Sequence, residues 1–123
     1  MDSNSNQAIG AVGEAAAARY LVGAGHVVLD RNWRCWQHEL RGELDIVARE
    51  GATIVFCEVK TRRGTRFGLP VEAVVPAKAR RIHQLALVWL SHNQLRPQQM
   101  RFDVIGVWLR SSGVHLDHIR SAF

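Results

Sequence analysis

Apolar and polar residues alternate through residues 42–63, and this pattern predicts two β-strands separated by a tight turn at residues 50–52. Successive side chains of a strand point to opposite faces, so Glu43, Asp45 and Val47 are expected to share one face of the first strand. That face changes from apolar to charged with increasing distance from the turn.

The second strand changes in the same direction. One of its faces holds, in order, Ile54, Phe56, Glu58 and Lys60. In an antiparallel hairpin, Asp45 and Glu58 lie at similar distances from the turn. Two carboxylates and the ammonium group of Lys60 are therefore expected to converge at one edge of an otherwise apolar sheet.

The remaining periodicity predicts two helices and three further strands. The helices are expected over residues 7–23 and 76–92, and the strands over residues 26–36, 100–110 and 114–119. The second helix opens with a proline at its first position and carries the apolar stripe of a helix packed on a sheet. The element order αβββαββ predicts an α/β fold.

Length and composition predict an ordinary globular protein. The chain has 123 residues, of which 47% are hydrophobic and 22% charged. Residues 1–6 form a polar segment that we expect to be a flexible tail, and residues 7–123 are expected to form one domain. The sequence shows no disulfide framework, no zinc spacing, no signal peptide and no apolar run long enough for a bilayer. We therefore expect a soluble, cytoplasmic protein.

The net charge of +5 is unevenly distributed. Residues 60–81 contain one acid, Glu72, and seven basic residues: Lys60, Arg62, Arg63, Arg66, Lys78, Arg80 and Arg81. Glycine and proline interrupt residues 61–71, which we expect to form a basic loop. A positive field of this kind suits a polyanion such as nucleic acid, although a solvated face that keeps the protein soluble is the alternative.

The predicted carboxylate cluster suits a hard divalent cation. Carboxylate and backbone oxygens are the ligands of Mg²⁺ or Mn²⁺, and a bound cation lowers the pKa of water. A neighbouring lysine can orient that water and stabilise developing charge. Glu58-Val59-Lys60 alone is weak evidence, because alternating charges occur on many exposed strands.

The order of these residues resembles a known nuclease core. Asp45, followed after twelve residues by Glu58-Val59-Lys60, resembles the PD-(D/E)xK nucleases, and a preceding helix with Glu14 resembles the archaeal Holliday-junction resolvases. Leu44 departs from the pattern, which has proline there.

More of the chain resembles the bacterial YraN family (UPF0102). The motifs that carry this resemblance are Gly13-Glu14-x-x-Ala17, Arg31-Asn32-x-Arg34, Gly42-Glu43-Leu44-Asp45-Ile46-Val47, Val55-Phe56-Cys57-Glu58-Val59-Lys60-x-Arg62 and Arg101-Phe102-Asp103-Val104. The resemblance implies a restriction-endonuclease-like fold, in which helices flank a mixed central sheet.

The resemblance also implies roles for individual residues. Asp45 and Glu58 would bind a metal together with the backbone carbonyl of Val59, and Lys60 would be the catalytic lysine. Glu14 would be an accessory carboxylate, and Glu43 would be a ligand or a neighbour of one. The residues implied to bind nucleic acid are Arg62, Arg63, Arg66, Lys78 and Arg81.

Other chemistry-bearing residues have plainer interpretations. The histidines show no metal-ligand spacing. Asp103, on an apolar strand beside Arg101, is expected to be structural. The four tryptophans lie among apolar residues, which favours packing in the core or at its rim over base stacking; they are Trp33, Trp36, Trp89 and Trp108.

Together these observations predict a Mg²⁺- or Mn²⁺-dependent endonuclease acting on structured or branched DNA. The alternative is a catalytically silent module that binds nucleic acid or docks a partner. DNA is the expected partner, RNA is the other polyanion to consider, and no membrane is involved. Cutting both strands of a junction would require a homodimer.

Overall fold

The computed structural model has a five-stranded mixed sheet with one helix on each face. It describes residues 3–37, 39–63 and 74–123, with side chains from residue 7 onwards. The two helices are α1 (Ser3–Gly23) and α2 (Pro76–His92). The strands are β1 (Val27–Gln37), β2 (Leu40–Glu50), β3 (Thr53–Arg63), β4 (Gln99–Arg110) and β5 (Gly113–Ile119).

The strands lie in the sheet in their chain order, from β1 to β5. Neighbouring strands are antiparallel except β3 and β4, which are parallel and are connected through α2. A tight turn reverses the chain and can join only antiparallel neighbours. Parallel neighbours therefore need a longer crossover connection. The predicted α/β class and the order αβββαββ are confirmed, and the arrangement is consistent with a restriction-endonuclease-like fold.

Helix α2 has the bounds that its pattern predicted. Ile82, Leu85 and Trp89 recur at helical spacing and are buried against the sheet. They pack on Phe56 and on other side chains that project from the same sheet face. The sequence periodicity therefore identified both this helix and its buried side.

Helix α1 packs on the opposite face through small residues, including Ala17. At Gly13, α1 approaches β3 so closely that a Cβ added there would lie 2.7 Å from the Cβ of Thr61. Real Cβ atoms do not approach that closely, so the contact depends on glycine. This contact fixes Glu14, the next residue, beside the sheet.

Two predicted boundaries differ from the structure by more than two residues. Helix α1 begins at Ser3 rather than at residue 7, because serine and asparagine are tolerated in the first helical turn, where N–H groups lack intrahelical partners. Strand β3 continues through residues 61–63, which were expected to be loop, because they pair with β4. Residues 64–71 of the predicted loop lie outside the described residues.

Asp103 is structural, as expected. Its buried carboxylate accepts hydrogen bonds from Arg101 Nε at 2.9 Å and from the Ser121 amide at 3.0 Å. A further hydrogen bond of 2.7 Å joins it to His118 Nε2, and His118 Nδ1 is bonded to the Tyr20 hydroxyl at 2.9 Å. Burial raises the pKa of Asp103, but the bonds from His118 and Arg101 outweigh that effect and hold it at about 2.

The tryptophans differ in burial, and Trp33 is partly buried against the core on the α2 side of the sheet. Trp89 and Trp108 are 2% exposed, as packing residues should be. Trp36, near the end of β1, is 69% exposed, so it is not a core residue, and its role at the rim stays a prediction. The alternating pattern of β1 could not show how far the rest of the chain covers this side chain. Among the described helices, none is long and apolar enough to span a bilayer.

Candidate metal centre

The candidate site lies where β2 and β3 separate. The two strands pair from their turn as far as Ile46 and Cys57. Beyond that pair, no pairing between β2 and β3 is seen in the described residues, while β2 stays paired with β1 and β3 stays paired with β4. Asp45 and Glu58 are the first residues past the last pair, and we call this position the fork. The predicted approach of Asp45 to Glu58 is therefore observed, whereas the convergence of the Lys60 ammonium group with them stays a prediction.

Asp45 joins the two strands at the fork through its side chain. Its Oδ2 accepts a hydrogen bond of 2.9 Å from the amide of Val59. Burial and the neighbouring carboxylates of Glu58 and Glu14 raise its pKa to about 8, although the Val59 amide acts in the opposite direction. Without a nearby cation, burial and these like charges therefore favour the protonated form of this carboxyl group.

Glu14 reaches the fork from α1. Glu14, Glu43 and Asp45 can each offer one carboxylate oxygen, and the three oxygens lie within 4.8 Å of one another. Glu14 Oε1 is buried and has no hydrogen-bond partner among the described residues. Burial raises the pKa of Glu14, while the Arg31 guanidinium, 3.9 Å away, lowers it. Such a group of oxygens could hold a hard cation.

Asn32 is a neighbour of the site that the sequence analysis missed. It has a φ of 52° and lies in β1 opposite Asp45, between the pairs Arg31–Ile46 and Trp33–Leu44. This left-handed conformation interrupts the alternation of side chains, so that both Arg31 and Asn32 act on Glu14. The only signal in the sequence was the Arg31-Asn32-x-Arg34 motif, which gave no structural reason.

Helix α2 closes the other side of the fork. Lys78, in its first turn, places Nζ 2.6 Å from Glu58 Oε1. Helix α2 packs closely over Gly42, since a Cβ added there would lie 2.9 Å from Leu85 Cδ1. A cleft of about 490 Å³ lies between the helix and the fork. Its polar lining consists of Glu43, Asp45, Glu58, Lys78 and Arg81.

The remaining predicted residues lie around this cleft or beside it. Lys60 is partly exposed two residues after Glu58, and it makes no hydrogen bond or ion pair with any residue that the structure describes. Arg62 and Arg63 are exposed at the end of β3. Arg66 lies outside the described residues. The metal-ligand role of the Val59 carbonyl remains a prediction.

Two charged side chains already have partners. Lys78 was predicted to bind nucleic acid but pairs with Glu58 in this structure, so its phosphate contact remains a prediction. Glu43 pairs with Arg34 across the β1–β2 hairpin, with Arg34 Nε 3.4 Å from Glu43 Oε2. Cross-strand geometry explains the second pair, because these two residues are directly opposite.

Comparisons with known proteins place the whole chain in one family. A UPF0102 protein of Frankia alni is 49% identical over 124 residues, which cover 100% of both chains. A UPF0102 protein of Streptomyces coelicolor is 48% identical over 121 residues, covering 97% of this chain and 91% of that protein. One from Geotalea daltonii is 45% identical, covering 98% and 92% respectively. The sequence profile described as "Uncharacterised protein family UPF0102" matches residues 13–107. The chain therefore belongs to the UPF0102 family.

Proposed function

We propose that this protein is an endonuclease that hydrolyses phosphodiester bonds in DNA and depends on Mg²⁺ or Mn²⁺. The observation that carries this proposal is the meeting of three carboxylates, from Glu14, Glu43 and Asp45, beside Glu58 in an open cleft. No single element supplies this group. Helix α1 and two strands of the sheet must come together to form it.

The donor set fits a hard divalent cation. Its side-chain ligands are all carboxylate oxygens, the type that Mg²⁺ and Mn²⁺ bind. Two observations suit a bound cation: the buried Oε1 of Glu14 accepts no hydrogen bond from a described residue and has only the Arg31 guanidinium 3.9 Å away, and burial together with like charges raises the pKa of Asp45. Glu14, Glu43 and Asp45 would hold the cation, and Glu58 would join them after leaving Lys78. When bound, such a cation acts as a Lewis acid towards water and phosphate oxygen.

The protein's own groups would orient the reactants. The Val59 amide fixes the Asp45 carboxylate, so this ligand need not be ordered when substrate binds. Lys60 projects from β3 on the same face as Glu58. Its ammonium group would donate hydrogen bonds to the attacking water and to the scissile phosphate. Arg62, Arg63 and Arg81 would bind neighbouring phosphates as exposed cations.

The carboxylates also support an enzyme over a silent nucleic-acid-binding module. A surface that only binds DNA has no use for acidic groups that face phosphates, because the like charges repel. Here several carboxylates lie within one cleft whose rim is basic. That combination suits a cation held between protein and phosphate.

The test is cleavage of labelled branched, nicked and linear DNAs in Mn²⁺ or Mg²⁺, with EDTA as the metal-free control. Wild type, Asp45→Asn and Asp117→Asn should be purified identically. Asp117 is a half-exposed carboxylate on β5, so it is a matched control away from the fork. We expect wild type and Asp117→Asn to cut and Asp45→Asn to lose activity about 100-fold or more. Lack of cleavage by wild type would favour the silent module, and equal cleavage by all three would indicate a contaminant.

A further inference from the structure

A second cleft continues from the metal centre along the β1–β2 hairpin. It has a volume of about 290 Å³ and is lined by Arg34, Trp36, Arg41, Gly42 and Glu43, which we call the hairpin cleft. Gly42 and Glu43 also line the cleft at the fork. The hairpin cleft and the cleft at the fork are therefore neighbours on the protein surface.

The side chain of Trp36 is exposed to solvent where it lines the hairpin cleft. It is 69% exposed, whereas burial of an indole of its size would contribute substantially to folding. Its position in β1 is well defined, because it pairs directly with Arg41 of β2. A large aromatic face is thus held open to solvent on a paired strand, where folding gains little from it.

The charged neighbours of Trp36 form a row that leads to the fork. Trp36 pairs with Arg41. Arg34 pairs with Glu43, which lies two residues nearer to Asp45 along β2. Two residues of a strand span roughly 6.7 Å, so Arg41 lies about 13 Å along β2 from Asp45. Arg41 forms no ion pair with any described residue, which leaves its guanidinium available to a phosphate.

We propose that Trp36 is a stacking platform for an unpaired base, and that Arg41 binds the phosphate of that nucleotide. The substrate would then carry a single-stranded segment beside the scissile bond. This inference rests on the proposed function, because it takes the fork to be the place where a nucleic acid strand is cut. An aromatic ring flanked by guanidinium groups binds single strands with little sequence preference, since every base has a π-face.

The same features argue against a paired segment in the hairpin cleft. Within a duplex each base is stacked on its neighbours, so an indole could reach a base face only after that base leaves the stack. An exposed ring on the rim of a narrow cleft therefore favours nucleotides that are already unpaired. Flaps, gapped ends and splayed junction arms share this property.

The experiment is a binding measurement that does not depend on cleavage. Fluorescence anisotropy in EDTA and in Ca²⁺ would compare a labelled duplex bearing a six-nucleotide single-stranded arm with the matching blunt duplex. The variants are Trp36→Ala, Trp36→Phe and Trp36→Leu. Val114→Ala serves as the control, because Val114 is 53% exposed on β5, at the opposite edge of the sheet.

We expect Trp36→Ala to weaken binding of the armed duplex roughly tenfold and to leave the blunt duplex unchanged. Trp36→Phe should retain most of the preference for the arm, because it keeps an aromatic face, whereas Trp36→Leu should lose it. Equal binding of the armed duplex by wild type and Trp36→Ala would overturn the inference. Full retention of the preference for the arm by Trp36→Leu would also overturn the inference, since an apolar contact without an aromatic face would then be enough.

The two proposals fail in distinguishable ways. A Trp36-dependent preference for the armed duplex, combined with no cleavage by wild type in Mn²⁺, would support the platform and contradict the nuclease. Cleavage that depends on Asp45 but shows no effect of Trp36 on binding would support the nuclease and contradict the platform.

Discussion

Lys78 Nζ lies 2.6 Å from Glu58 Oε1, so helix α2 supplies a cation to a carboxylate that belongs to the candidate metal centre. Glu58 is 8% exposed, and this lysine is the cation paired with it in the described part of the chain. A metal that took Glu58 as a ligand would have to compete with that ion pair. Lys78 therefore links the charge of the site to the first turn of α2.

The variant Lys78→Met tests this competition. We expect it to lower the melting temperature in EDTA by about 3 °C, because a largely buried carboxylate loses a partner worth about 1 kcal/mol. The rise in melting temperature on adding Mn²⁺ should be larger than for wild type, since nothing then competes for Glu58. Arg81→Met, on the same helix and cleft, is the control and should change neither quantity. A smaller Mn²⁺-induced rise in Lys78→Met would contradict the account.

The raised pKa of Asp45 makes a prediction about stability and pH. Because its pKa is about 8 in the folded protein and near 4 in the unfolded chain, protonation stabilises the fold. That stabilisation is complete below about pH 4 and is lost as the pH rises through 8. Asp45→Asn should therefore melt close to wild type at pH 4 and several degrees higher at pH 9, both in EDTA. A difference in melting temperature that does not vary with pH would show that the pKa of the Asp45 carboxyl group is not raised in the folded protein.

Asp103 should show the opposite pH dependence. Its pKa of about 2 lies below the value of the unfolded chain, so its ionised form stabilises the fold above about pH 4. This contribution is lost as the pH falls towards 2. Asp103→Asn should destabilise the protein at pH 7 by roughly 3–5 kcal/mol, because it leaves buried partners unpaired, and should flatten the acid limb of the stability curve. Denaturant unfolding from pH 2 to pH 7 would measure both effects, with the half-exposed Asp117→Asn as a near-neutral control.

Two glycines of α1 should respond in opposite directions. Gly13→Ala forces a Cβ into Thr61 and should cost about 1–3 kcal/mol, with weaker Mn²⁺ binding because Glu14 moves with the helix. Gly10→Ala meets no atom within 4 Å and should raise the melting temperature, since alanine is the better helix former. Thr61→Gly should partly restore Gly13→Ala. If both glycine variants were stabilising, α1 would not pack on β3 as described.

The alternating and helical patterns predicted most of the fold and the centre of the site. The alternation in residues 42–63 placed Asp45 and Glu58 side by side, because period and turn together determine the register of a hairpin. The stripe on α2 gave both its bounds and its buried face. The hairpin register and the helix stripe depend on residues that are close together in the sequence, so the pattern of the sequence alone predicts them.

The missed features depend on contacts between distant segments. The ion pair of Lys78 with Glu58 requires the crossover of α2, which no spacing in the chain encodes. Asn32 reaches Glu14 because a single residue adopts a positive φ, and a regular strand pattern hides such a break. The exposure of Trp36 depends on how the layers pack around the end of β1, which no local pattern of residues shows.

The most direct test of the central claim is the position of Mn²⁺ in crystals of the wild-type protein, located by its anomalous scattering. The account predicts one strong peak at the fork, at direct ligand distance, about 2.1 Å, from carboxylate oxygens of Glu14, Glu43 or Asp45. The peak should disappear in Asp45→Asn crystals grown under the same conditions. A peak confined to other acidic groups, or no peak in the wild-type protein at millimolar Mn²⁺, would contradict the assignment of the fork as a metal centre.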